Sequence, residues 1–155
     1  MEKIDEAEAK AAEAQDNLLR TIADLENFRK RALREKEELR KYGPAAFVED
    51  LLPVIDNLQL GLDSAQQHHP EAKGITDGFA MVVNQLQSVL GQNGVQTIEP
   101  KAGDAFDHNL HEAVSQSPSD DVEEGAVLVL TRKGYKLHER LLRPAGVVVS
   151  SGKAG

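Results

Sequence analysis

Apolar residues recur at Ile4, Ala7, Ala11, Ala14, Leu18, Leu25, Phe28, Ala32, Leu39 and Tyr42, with Thr21 and Glu35 as polar interruptions. The steps alternate between three and four, the pattern of helices that pair along their length. The stretch from Glu2 to Tyr42 holds no Pro or Gly and is dense in Ala, Leu, Glu, Lys and Arg. Those side chains lose little rotamer freedom in a helix. One helix over residues 2–42 is therefore predicted, about 60 Å long. No small domain can cover so long and narrow an apolar stripe, and the simplest partner is a second copy of the chain. Ala14, Leu18, Ile22 and Leu25 step by an eleven-residue rhythm, which untwists a left-handed supercoil. A nearly straight pair is expected, weakly packed in its Ala-rich first half.

Gly43-Pro44 punctuates this rod, since Gly absorbs a bend and Pro suits the first turn of a new helix. Phe47, Leu51, Leu52, Ile55, Leu58 and Leu62 then fall at helical spacing on one face, and Pro53 is expected to kink or step the helix. The polar run Gln66 to Gly74 reads as a loop. A further helix is predicted from Ile75 to Gln92, with Phe79, Val82, Val83, Leu86, Val89 and Leu90 inward and Gly91 and Gly94 as its stop. Two such helices form a hairpin, and two hairpins from a dimer complete a four-helix bundle. Leu18, Ile22, Leu25 and Phe28 on the rod, with Leu51, Ile55 and Leu58 on the hairpin, are the expected dimer interface.

From Val95 the rhythm becomes extended. Val95–Ile98, Glu112–Ser117, Ala126–Thr131 and Val147–Ser150 read as strands, and His138 lies in a hairpin. Turn residues separate them at Glu99-Pro100, Ala102–Asp104, Ser117–Asp121 and Lys133-Gly134. The fold class is α+β: a long N-terminal coiled-coil helix (1–42), a helical hairpin (43–94) forming a dimeric four-helix bundle, and a small all-β domain (95–150). A disordered tail (151–155) follows.

Charge narrows the function. The chain has 155 residues and a net charge of −8, from 26 acids against 18 bases, so it is a poor general binder of nucleic acid. It has no Cys, and so no disulfide or thiol chemistry. No apolar run approaches the ~18–20 residues that span a membrane. No signal peptide is visible, and a cytoplasmic location is expected. Four Phe, two Tyr and no Trp leave little aromatic surface for stacking on bases or sugars. Arg29, Lys30, Arg31, Arg34, Lys36, Arg40 and Lys41 make the end of the rod basic. Such a run is either a docking surface for an acidic partner or for phosphates, or a solvated face whose cations suit a helix C-terminus.

Chemistry could reside in Asp104, Asp107, His108, His111 and Glu112. His108 and His111 with nearby carboxylates could bind a metal, or Asp and His could form an acid–base pair. The structural alternative is a turn capped by Asp107, with His111 in a structural hydrogen bond. His68 and His69 sit in a polar segment beside Pro70. There is no nucleophile triad spacing and no phosphate-binding glycine loop. No enzymatic role, cofactor or metal is expected.

Four segments together resemble the GrpE family of nucleotide exchange factors for DnaK-type heat-shock chaperones. They are N-L-L-R-T-I-A-D-L-E-N-F-R-K-R (Asn17 to Arg31), L-L-P-V-I-D-N-L (Leu51 to Leu58), F-D-H-N-L-H-E-A-V (Phe106 to Val114) and G-Y-K-L-H-E-R-L-L-R-P-A-G-V-V-V-S (Gly134 to Ser150). The last is the family's signature region. The resemblance implies a homodimer with paired long helices and a β-wing from each protomer that inserts against the chaperone's ATPase domain, holds the nucleotide cleft open and lets ADP leave. It implies chaperone contacts at Arg140, Thr131, Val149, Gly78, Arg29, His111 and Glu112, with Arg140 pairing with an acid and Gly78 setting how closely the partner approaches. His111, Glu112 and Ala113 match the core of the family's F-D-P-x-x-H motif. The chain departs from the pattern at His108, where the family usually has Pro and where a less rigid loop is expected. It departs also at Thr131, where larger apolar residues are known, and at Glu38 and Leu60, where some members carry bases. The family's disordered acidic segment ahead of the long helix is expected to be missing. The family is also associated with thermosensing through melting of the long helices. A dimeric coiled-coil adaptor with a β recognition module and no exchange activity is the alternative reading.

Overall fold

The computed structural model describes residues 1–153. The chain divides into two compact units, Met1–Gly43 and the remainder from Pro44. The first unit is one helix, α1 (Glu2–Tyr42). Glu2 and Asp5 lie in its first turn and Arg40 and Lys41 in its last, each favoured by the helix dipole at that end. Exposed i,i+4 pairs run along it: Glu6–Lys10 and Asp16–Arg20, both at 2.8 Å. None of its residues is buried. Leu18, Ile22, Leu25 and Phe28, on the seam, are about half exposed.

The second unit begins with α2 (Ala45–His68) and α3 (Lys73–Gln92), joined by a 3-10 turn at Pro70–Ala72. α2 continues through Pro53 without a break. The segment 66–74, expected as a loop, is almost wholly helical, because Gln, Ala, Glu and Lys keep helical preference even when polar. The covered stripe of α2 is Ala45, Val48, Leu52, Ile55 and Leu62. Of the face expected from the pattern, Leu52, Ile55 and Leu62 are buried, Leu51 and Leu58 are half-buried, and Phe47 is exposed. On α3 only Val83 and Thr76 are buried. Phe79, Val82 and Val89, expected inward, stand exposed.

Six strands follow: β1 (Val95–Ile98), β2 (His111–Ser117), β3 (Val127–Arg132), β4 (Gly134–Leu137), β5 (Arg140–Arg143) and β6 (Ala145–Ser150). They form two three-stranded sheets, β1-β4-β5 and β2-β6-β3. The first is antiparallel, with Val95 opposite Leu137 and Ile98 opposite Gly134. In the second, β6 runs parallel to β2 and antiparallel to β3. Central β6 is Ala-Gly-Val-Val-Val-Ser and is almost entirely buried, as an apolar strand covered on both faces must be. Its Val147 and Val149 form a core with Val127, against which Phe106 and Leu130 pack. Lys133-Gly134, expected as a turn, is instead the crossover from β3 into β4.

Candidate functional site

The second sheet is organised across Gly146. Glu112 of β2 and Arg132 of β3 both register with Gly146 of β6, and their charges meet across it at 3.6 Å. Thr131 Oγ1 donates to the Gly146 carbonyl at 2.9 Å. A Cβ at Gly146 would lie 2.9 Å from that hydroxyl and 3.4 Å from Arg132 Cβ. A side chain there would drive into the residues that converge on it from β3.

The turn before β2 is held by its own polar groups. The Asp107 carboxylate accepts from the Asn109 N–H at 2.8 Å, and the Asp107 carbonyl accepts from His111 N–H at 2.7 Å. Asp107 N–H donates to His111 Nδ1 at 3.0 Å, so that nitrogen is an acceptor and a neutral ring carries its proton on Nε2. The His111 ring also packs against Phe106, with centroids 5.8 Å apart. His108 is exposed in the turn. Among the described residues no three His, Asp or Glu side chains converge to hold a metal. Residues 107–110 form a hydrogen-bonded turn that leads into β2, and His111 at the start of β2 closes it through its ring nitrogen.

Arg143 ties β5 to α2 and to the β3–β4 crossover. Its Nη1 and Nη2 donate to the two carboxylate oxygens of Asp56 on α2, at 2.7 and 2.9 Å. Nη2 and Nε also donate to the Lys133 carbonyl, at 2.7 and 3.2 Å. The guanidinium lies 5.5 Å from the centre of the Tyr135 ring. Burial, and then the Asp56 charge, push the Tyr135 hydroxyl above its ordinary range, against the opposing pull of Arg143. Beside this cluster an open groove of about 430 Å³ runs between α2 and the β3–β4 crossover, with Asp63, Thr131 and Lys133 in its walls. An apolar groove of about 310 Å³ lies between α2 and α3, lined by Leu58, Leu62, Ile75 and Phe79.

The profile of the GrpE family matches residues 1–151. The chain belongs to the GrpE family. It is similar to the Protein GrpE of Nitrosococcus oceani, 42% identical over 147 residues that make up 95% of this chain and 70% of that one. It is similar also to the Protein GrpE of Thioalkalivibrio sulfidiphilus, 39% identical over 155 residues, 100% of this chain and 82% of that one. With the Protein GrpE of Exiguobacterium sibiricum it shares 44% identity over 143 residues, 92% and 75% of the two chains. GrpE membership makes the chain a co-chaperone of DnaK-type chaperones.

The GrpE signature segment, Gly134 to Ser150, folds as β4, β5 and β6. Arg140 opens β5, exposed, after a two-residue turn in which His138 takes the left-handed φ of 50°. Thr131 is exposed on edge strand β3, and Glu112 is exposed on edge strand β2. Gly78 is exposed on α3, and a Cβ there would meet nothing within 4 Å. Arg29 is exposed on α1, in the other unit. Val149 is placed differently from the expectation: at 6% exposure its side chain belongs to the core with Val127 and Val147. Asp56, Lys133, Tyr135 and Arg143 were not singled out by the sequence reading. The signal was an acid inside the apolar run L-L-P-V-I-D-N-L and an arginine inside R-L-L-R-P.

Proposed function

We propose that this chain is a homodimeric nucleotide exchange factor that accelerates ADP release from a DnaK-type chaperone in the cytoplasm. The wing would bind the chaperone's ATPase domain and favour its open cleft. A factor shifts that equilibrium only by the ratio of its affinities for open and closed states. The observation that carries the reading is the family match over residues 1–151, which includes the signature strands bearing Arg140. Arg140, Thr131, Glu112 and His111 on the wing, Gly78 on α3 and Arg29 on α1 are the proposed chaperone contacts. Gly78 faces open space, so the close approach it permits would be that of a partner.

Dimerisation is proposed through two uncovered apolar surfaces. One is the α1 seam at Leu18, Ile22, Leu25 and Phe28. The other is the hairpin, where Leu51 and Leu58 are half-buried and Phe79, Val82 and Val89 are exposed. Ile55 is already 2% exposed within one chain, so it would support that interface from beneath. Functional segments are proposed at 1–42, 43–94 and 95–150. Reversible loosening of the α1 pair on heating would reduce exchange, a thermosensing role. Among the described residues no helix is long and apolar enough to cross a membrane.

The test is stopped-flow release of a fluorescent ADP analogue from a DnaK-type chaperone. Catalytic amounts of the wild type are expected to accelerate release. Arg140→Ala and Gly78→Asp are each expected to lower the stimulation about tenfold or more, the scale of truncating or blocking a buried interface contact. Their dimer mass and helix content are expected to stay unchanged. Binding of the wild type without acceleration would leave the adaptor reading in its place.

A further inference from the structure

We infer that Asp56 and Arg143 form a latch that fixes the β-wing to the helical hairpin and turns binding by the wing into force on the chaperone's cleft. The inference rests on the exchange reading above. Three parts of the second unit meet at one guanidinium. Asp56 brings α2, and Arg143 itself belongs to β5 of the first sheet. The Lys133 carbonyl is the crossover at which β3 of the second sheet becomes β4 of the first. The ion pair is bidentate, the arrangement that fixes direction as well as distance. The Arg143 and Asp56 side chains are only 14% and 31% exposed, so water competes weakly for the bonds. Tyr135, 2% exposed, packs beneath the guanidinium and limits its rotamers.

The proposed contacts hang from this point. Arg140 is on the same short strand as Arg143, and Thr131 lies two residues before Lys133 on β3. A wing free to pivot on α2 could follow a closing cleft and keep its contacts in both states. It would then bind, but with little preference for the open state. A latched wing cannot follow, so contact and closure compete. The latch should therefore appear in the coupling between this protein and ADP, which is reciprocal by linkage. Arg143 and Asp56 are positioning residues, acting through Arg140 and Thr131.

The measurement is the affinity of the full-length protein for the ATPase domain of a DnaK-type chaperone, nucleotide-free and ADP-bound, by titration calorimetry. Asp56→Asn keeps the shape but turns one carboxylate acceptor into a donor facing Arg143, and leaves the bonds to Lys133 in place. It is expected to lower the ratio of the two affinities about fivefold to tenfold, within the usual range of coupling. Affinity for the ADP-bound domain should stay equal or rise. Arg143→Lys should lower the ratio similarly, and the double variant no further than either single, because the two residues act as one unit. An Asp56→Asn protein with wild-type coupling would overturn the latch while leaving the exchange reading standing. Equal weakening toward both nucleotide states would also overturn it, as the mark of general destabilisation. Additive losses in the double variant would do the same. If Arg143→Lys loses its β signal in circular dichroism, Asp56→Asn decides alone. Absence of any coupling in the wild type would sink the exchange reading itself.

Discussion

Tyr135 shows how one side chain can carry both packing and charge. Its ring is 2% exposed under Arg143, and burial together with Asp56 holds its hydroxyl above the ordinary tyrosine range. The folded state thus prefers the protonated phenol. That contribution is fully present below about pH 10 and is lost as pH rises through the higher folded value. The β-sheet melting temperature should accordingly fall above pH 10. Tyr135→Phe, which has no proton to lose, should show a shallower fall; parallel slopes would refute the assignment. The same residues mark the limit of the sequence reading. Alternation and turn residues reveal strands, but Asp56 and Arg143 lie 87 positions apart, and no local pattern pairs them. Val149 was taken from its family position, which carries no information on burial, and its side chain lies in the core because β6 is covered on both faces. Gly134 misled because glycine beside lysine looks like a turn. It is glycine because a Cβ would come within 2.9 Å of the Arg143 carbonyl, where the strand passes the β5–β6 link.

At the scale of elements, α1 was the most legible and is the least supported. Its spacing and propensity predict Glu2 to Tyr42, and the helix occupies those residues. Yet none of its own residues is buried, so its stability depends on local hydrogen bonds, exposed ion pairs worth a few tenths of a kcal/mol each, and whatever covers the seam. Ala at many seam positions limits what a covering partner can bury. On heating, helix signal should be lost in a first transition below the one that removes the β signal. Leu25→Ala should move only the first. A single joint loss of both signals would contradict this. The strands β1, β2, β3 and β6 were legible within a residue or two. β4 and β5 were seen only as a hairpin around His138, because four-residue strands interrupted by Lys and Arg show too little alternation.

For the whole molecule, the α+β class was legible, and uncovered apolar surface is what argues for a second copy. Phe79, Met81 and Val82 on α3 and Phe47 on α2 are each more than two-fifths exposed, an unfavourable arrangement for a lone chain. Assembly through these faces, as proposed, would make stability depend on mass action. The melting midpoint of the helices should rise with protein concentration, by sedimentation and calorimetry together. Phe79→Asp should give monomers whose β signal persists. A wild type that stays monomeric at high concentration would remove dimerisation from the proposal.

The topology of the second sheet also sets an order of events during synthesis. Its central strand, Ala145–Ser150, comes after both neighbours, His111–Ser117 and Val127–Arg132, have been made. Until it arrives, β2 and β3 have no strand between them and Val127 has lost its two core partners. A nascent chain released before residue 145 would expose unpaired strand edges beside apolar side chains, the state most prone to aggregate. This sheet is closed by long-range pairing and is expected to be the slow step of folding. A protein assigned to help other chains fold thus carries, in its own β6, a late and vulnerable commitment.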